Sequence, residues 1–426
     1  ISAAKRGEST PLCAKCSLVQ ASNRRVVHGP TDFIPSRTIV IIVTGAGNAV
    51  HPARPVSHIM VGLMHAALIA DTAWLTDELA MFKFLGVGLM GEQVRVAQVV
   101  PACTTDQQIS AFGDRVTWHE SRFDLVRSHR LAGLAGELDE LRINVLHALD
   151  GRLWAGALRL AERLGMPAVL NVACIQDVTR AIKLRRNIAA CRTAFAAATE
   201  PLAQAIRKHA ADPTLIRHLP PGAHMPAESV CPKSNDALCL VITGNGICDT
   251  QYQTLFEALR LFIEDHRDTL LFFDSQGGDQ HPLWQAIRRH GVLDNSSMIP
   301  TYINHREMLS GAHALVQPQT LGRARSVTLQ AMACGLPVLA RQDQWLDYLI
   351  DDQTAWTTEH GDVEDWLRLF RRIRDDPIAV QKMGLTARQW ISQHHLAAAQ
   401  VEHTIELYRQ LTGESYRFPQ AQEHNA

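Results

Sequence analysis

The chain has 426 residues, 46% hydrophobic and 20% charged, with a formal net charge of -1. That length is too great for one ordinary core, so two domains are expected. The near-neutral charge excludes the electrostatic footprint of a nucleic-acid binder or an anionic-membrane binder.

Nine cysteines, an odd and scattered set, point to a reducing compartment and a cytoplasmic protein. The close pair Cys13 and Cys16 lacks the second pair or the spaced histidines of a zinc site. The 20 histidines show no metal-binding spacing, so no metal is expected.

Residues 1–37 are polar and carry Pro11, Pro30 and Pro35, which reads as an extension. "TIVIIVTGAGN" (Thr38 to Asn48) is a β-branched run closing on glycine, the pattern of a buried parallel strand feeding a tight turn. "IMVGLMHAALIA" (Ile59 to Ala70) is interrupted by His65 and followed by Asp71; it reads as a buried helix rather than a membrane span. "RINVLHALD" is a strand, "GALRLAERLG" an amphipathic helix with a glycine stop, and "PAVLNVA" a strand. "AFAAATEPLAQAIRKHA" is a strand and helix, with Pro201 in the helix's first turn. "IRHLPPGAHMP" leads into a Pro/Gly-rich hinge, where a domain boundary is expected.

A second cycle opens with "ALCLVITGNGI", which ends, like the first, in Thr-Gly-x-Gly. The third glycine of a dinucleotide fingerprint would fall on Val50 or Asp249, which disfavours NAD or FAD. "TLFEALRLFIED", "PLWQAIRRHG" and "SVTLQAMACG" read as helices, alternating with the strands "TLLFFDS", "HALVQPQ" and "PVLA"; residues 377–413 read as helical. Strands alternating with helices at these lengths predict parallel, doubly wound α/β sheets. The domains expected are an extension at 1–37, a first Rossmann-like domain at 38–225, a second at 226–395, and a terminal helix and tail at 396–426.

"AMACGLPVLA" (Ala331 to Ala340), "VLHALD" and "HLPPGAH" together resemble the GT-B glycosyltransferases of group 1, family 4, over residues 38 to 412. The resemblance implies two Rossmann-like domains around a cleft. It also implies retaining, metal-independent transfer of a sugar from a nucleotide-sugar donor to an unknown acceptor, without a further cofactor. The donor domain would be the second and the acceptor domain the first.

The site motifs depart from the family pattern. Its Glu, seven residues, then Glu falls on Gly322 and Gln330. Its Gly-Arg falls on Gly244 and Asn245, and its Lys-Gly near Thr250 and Gln251; no Lys or Arg lies between Gly244 and Leu259. A diphosphate needs cations or a helix N-terminus, and the leaving diphosphate gathers charge as transfer proceeds. Replacing a ribose-facing Glu by Gln330 costs about 1–2 kcal/mol.

"GRARSV" offers a substitute. Arg323 and Arg325 precede a helix for which Ser326 is the expected N-cap, followed by Val327. The same arginines also read as surface loop residues. On the acceptor side, Gly47 and Asn48 are candidate cleft residues, as is His147 at a strand end, where a structural histidine is the other reading. Three functions stay open: a transferase with a divergent donor site, a non-catalytic relative working with a protein partner, and a sugar-nucleotide epimerase. Fold alone does not choose among them.

Overall fold

The computed structural model describes residues 64–104, 112–119, 124–184, 192–210, 212–229, 237–244, 249–274, 282–299 and 305–413. All of them lie in one compact unit, Met60–Ala426. The predicted strand at Thr38 to Asn48, and with it Gly47 and Asn48, lies outside the described residues, as do Cys13, Cys16 and Asn245.

The first lobe alternates β1 (His65–Ile69), α1 (Thr72–Gly91), β2 (Arg95–Pro101), β3 (Asp114–Trp118), α2 (Asp124–Glu140), β4 (Val145–Ala148) and α3 (Trp154–Leu164). It continues through β5 (Ala168–Val172), α4 (Ile175–Leu184), β6 (Thr193–Ala197), α5 (Glu200–Arg207) and β7 (Ile216–His218). The second lobe runs through β8 (Cys239–Thr243), α6 (Thr250–Asp265), β9 (Leu270–Asp274), α7 (Pro282–Arg289), β10 (Ser296–Ile299), α8 (His305–Ser310) and β11 (Ala314–Gln317). It ends with α9 (Ser326–Cys334), β12 (Val338–Arg341), β13 (Trp356–Thr358), α10 (Val363–Asp375), α11 (Pro377–His394) and α12 (Ala397–Thr412).

All strand pairings are parallel. The orders are β3-β2-β1-β4-β5-β6-β7 and β10-β9-β8-β11-β12-β13. Each order reverses beside its first strand, the switch point of a Rossmann sheet, where ligands bind beyond the strands' carboxyl ends.

The stretch read as a buried helix contains a strand: His65–Ile69 is β1, an interior strand of the first sheet between β2 and β4. An apolar run that is buried on both faces shows no alternation, so its periodicity cannot tell strand from helix. Here Ala66 and Leu68 pack on one face of the sheet, Ala67 and Ile69 on the other. A fully buried Leu68 contributes about 1.5–3 kcal/mol. β10, in "SSMI", carries no strand signature in the sequence, and its residues are only partly buried or exposed, as suits the sheet edge it occupies.

The chain crosses back at its end. α12 buries Val401, Ile405, Tyr408 and Leu411 in the same core as Phe82, Leu85 and Leu89 of α1. A glycine at Gly413, φ 77°, closes α12. Among the described residues no helix is long and apolar enough to cross a membrane.

Candidate functional site

The loops that follow the strands of the two sheets meet. The Ala324 N–H donates to the Ala173 carbonyl at 3.1 Å. Thr199 Oγ1 donates to the Trp345 carbonyl at 2.7 Å, and the Glu200 N–H donates to Asp347 Oδ2 at 2.8 Å. Into this junction project the start of α9 and the loop before it, residues 318–325.

That loop is fixed on several sides. Thr320 exchanges two hydrogen bonds with the Gln251 side chain, both 3.0 Å. Gln319 Nε2 donates to Asp249 Oδ2 at 2.7 Å, and the Gly322 N–H donates to Asp343 Oδ2 at 2.7 Å. Gly322 has φ +54°, and a Cβ there would lie 2.9 Å from the Trp345 ring. A side chain at Gly322 would require the Trp345 ring to shift, and the positive φ would strain it whatever the space.

The arginines are not surface loop residues. Arg325 is 3% exposed, and Arg323 is half-buried. Arg323 Nη1 pairs with Asp77 Oδ2 at 3.0 Å, and Arg325 Nη2 stands 3.9 Å from Asp77 Oδ1. Burial opposes the Arg325 charge, but Asp77, Glu78 and Asp274 outweigh it and hold the guanidinium firmly protonated. Among the described residues its Nε and Nη1 have no hydrogen-bond partner.

The cap of α9 differs from expectation. Arg325, not Ser326, is the N-cap, in extended conformation and with no side-chain bond to the helix. Ser326 is the first helical residue, and its N–H donates to Glu78 Oε2 at 3.0 Å, across 248 positions of sequence. A hydroxyl at the first helical position does not reach the orphan N–H groups as a cap does; a carboxyl from the other lobe reaches one of them instead. Glu78 is 3% exposed. Burial raises its pKa above the usual carboxyl range, while Arg325, Arg323 and Ser326 pull it back down. Val327 is fully buried and belongs to the core behind the helix.

Gln330, expected to face a ribose, has both ends of its amide on the hinge. Nε2 donates to the His224 carbonyl at 2.9 Å, and Oε1 accepts from the His224 N–H at 3.3 Å. This clasp needs a donor and an acceptor on one side chain, which glutamine has and an ionised glutamate lacks. Cys334 is buried, as its packing role requires.

Gly244 ends β8 beside the start of α6; a Cβ there would meet the Tyr252 hydroxyl at 1.9 Å. The α6 start is capped by Asp249, which accepts from the Gln251 and Tyr252 N–H groups at 3.1 Å each. His147 does not open onto the cleft. It is 1% exposed, and its Nδ1 lies 2.7 Å from the Tyr408 hydroxyl of α12. Burial lowers its pKa to about 3, so it is a neutral structural histidine.

Two features escaped the sequence reading. One is the Asp77–Glu78 pair, the only acidic residues in α1, a mostly apolar helix whose one other charged residue is Lys83. The other is a cavity of about 700 Å³ in the first lobe, beyond the carboxyl ends of β1, β2 and β3, lined among others by Ile69, Val99, Trp118, Leu134 and Arg152. Among the described residues no group of three or more His, Cys, Asp or Glu side chains is placed to hold a metal ion.

Two Rossmann-like lobes, joined by a clasped hinge and re-bridged by the last helix, define the GT-B fold. Residues 230–390 match the family described as Glycosyl transferases group 1. Over 317 residues the chain is 23% identical to a glycogen synthase of Mycobacterium tuberculosis, covering 68% of this chain and 75% of that protein. Among solved structures, Anabaena HepE in complex with UDP-glucose superposes with a TM-score of 0.65 at 12% identity, covering 82% of this chain and 100% of HepE. A sucrose-phosphate synthase from Thermosynechococcus elongatus superposes with a TM-score of 0.65 at 14% identity, covering 83% of this chain and 100% of that one.

Proposed function

We propose that the chain is a retaining, metal-independent glycosyltransferase of family 4, with its nucleotide-sugar donor bound between the lobes. The diphosphate would lie against the start of α9, with Arg323, Arg325 and the Ser326 N–H as its partners and Gly244 at the base of the site. The observation that carries this reading is the Arg325 guanidinium, buried beside a helix start with two nitrogens unpartnered among the described residues. Such a cation balances the charge gathering on a leaving diphosphate. HepE, with UDP-glucose in its structure, and the group 1 match of residues 230–390 support the same reading.

The acceptor belongs in the 700 Å³ cavity of the first lobe, whose volume is that of a small-molecule site. In this reading residues 38–225 are the acceptor-side domain and 226–395 the donor-side domain, with 1–37 an extension and 396–426 the returning helix and tail. Among the described residues the free thiols of Cys103 and Cys174 suit a reducing cytoplasm.

A second reading, a non-catalytic relative that binds a protein partner, is favoured by one observation. A side chain at Gly322 would be strained and would displace the Trp345 ring, and Gln330 holds the hinge. Calorimetric titration with UDP, GDP and ADP, and then with their sugars in a donor-hydrolysis assay, separates the two. Binding of one nucleotide with turnover of its sugar is expected. Binding without turnover, or no binding at all, removes the catalytic reading and leaves the non-catalytic one.

A further inference from the structure

The cations at the start of α9 already hold a negative partner, and it comes from the chain itself. Glu78 Oε2 takes the Ser326 N–H at 3.0 Å, and Asp77 takes Arg323 at 3.0 Å. These are the contacts that two oxygens of a bound diphosphate would make.

The backbone is bent to deliver them. Glu78 sits inside α1 at φ -127°, ψ 25°, outside helical geometry, where two helical segments join across a kink. The space left beside the pair is about 20 Å³, bounded by Trp74, Glu78 and Met81 of the first lobe and Ala324 and Ser326 of the second. That is room for about one water molecule, whereas a nucleotide needs a few hundred Å³. The fit is also incomplete. Among the described residues, Glu78 Oε1, Ser326 Oγ, and Arg325 Nε and Nη1 are buried without hydrogen-bond partners. Two carboxyls leave hydrogen-bonding capacity unused in a place suited to an anion with more oxygens.

We propose that Asp77 and Glu78 form an internal latch. They occupy the anion position between the lobes in the resting protein, and a nucleoside diphosphate binds only by displacing them. The proposal rests on the reading of this junction as the diphosphate site. A ligand that must compete with a resident group binds with an apparent affinity reduced by the fraction of molecules in which the site is free. Removing the resident charges raises that fraction. A cross-lobe carboxyl alone does not make a latch. Asp347 accepts the Glu200 N–H at the start of α5 across the same junction, yet the histidines that face it there, His218 and His395, are held toward the neutral form by burial.

The test titrates UDP and inorganic pyrophosphate into the full chain and into Asp77→Asn/Glu78→Gln, with Asp347→Asn as the control that loosens the junction without clearing the anion position. At least tenfold tighter binding of both probes by the double variant, and a smaller gain in the control, is the expected result. Equal affinity in wild type and double variant overturns the latch and leaves the diphosphate site standing. So does a control gain as large as that of the double variant, because lobe separation alone would then explain it. Loss of binding in the double variant also overturns it, since the carboxyls would then support the ligand. If no protein binds either probe, the diphosphate reading falls and the latch with it. Asp77→Asn alone, a change at a partly exposed site, replaces the double variant if that chain does not fold; about threefold tighter binding is then expected, and none overturns the proposal.

Discussion

The starts of α5 and α9 are mirror arrangements with different consequences. Each lies at the lobe junction, neither receives a side-chain bond from its own N-cap, and each has an N–H held by a carboxyl of the opposite lobe. Asp347 serves α5, and Glu78 serves α9. At α5 the carboxyl meets a helix start and the histidines His218 and His395, which burial holds toward the neutral form, so it acts as an adhesive between lobes. At α9 it meets the buried Arg325, whose Nε and Nη1 have no hydrogen-bond partner among the described residues, with Arg323 beside it. A remote cap holds two bodies together in either case. Only where cations gather behind it does it also stand where a ligand would.

Four changes test that contrast, from the largest expected effect to the smallest. Arg325→Ala leaves Glu78 buried against an uncompensated environment and should cost about 3–5 kcal/mol of stability in urea unfolding. A loss below about 1 kcal/mol would show that the two charges do not depend on one another. Gln330→Glu sets a carboxylate against the His224 carbonyl one turn along α9 and should cost about 1–3 kcal/mol at neutral pH, with recovery on acidification as the carboxyl takes up a proton. An unchanged midpoint would remove the clasp from the account. Asp347→Ala should cost about 1 kcal/mol, the ordinary value of a helix cap. A cost as large as that of Arg325→Ala would erase the difference between the two junction caps.

The last concerns pH. Burial raises the folded-state pKa of Glu78 above the unfolded value. Its contribution to stability is therefore fully present below the unfolded carboxyl pKa and is lost as pH rises through the folded one. Unfolding midpoints across pH 4–7 should fall with rising pH by more in the wild type than in Glu78→Gln, and parallel curves would count against this assignment.

Much of the second lobe was legible. β8, α6, β9, α7, β11, α9 and β12 fall where alternation and glycine stops put them, because each strand and helix carries its own local signal. β1 was misread, since a strand buried on both faces has no period to show. At the candidate site, "GRARSV" runs into the start of α9, where a helix was expected to begin. The motif itself gave no sign of the partners of its two arginines. Asp77 and Glu78 stand in a mostly apolar helix far away in the chain, and no spacing rule links residue 78 to residue 326. An acidic pair in a mostly apolar helix was the available signal. Gln330 looked like a weakened glutamate because its partner is a backbone peptide, which leaves no trace in side-chain patterns.

The return of α12 to α1 also governs how the protein can be made. The core of the first lobe around Phe82, Leu85 and Leu89 takes in Val401, Ile405, Tyr408 and Leu411 of the returning helix. During synthesis the amino-terminal lobe emerges first, but the apolar surface that receives this helix stays uncovered until the second lobe has been made and the last helix has left the ribosome. The nascent chain therefore carries an exposed greasy surface through most of translation, and a product cut short before Ala397 would keep that surface permanently.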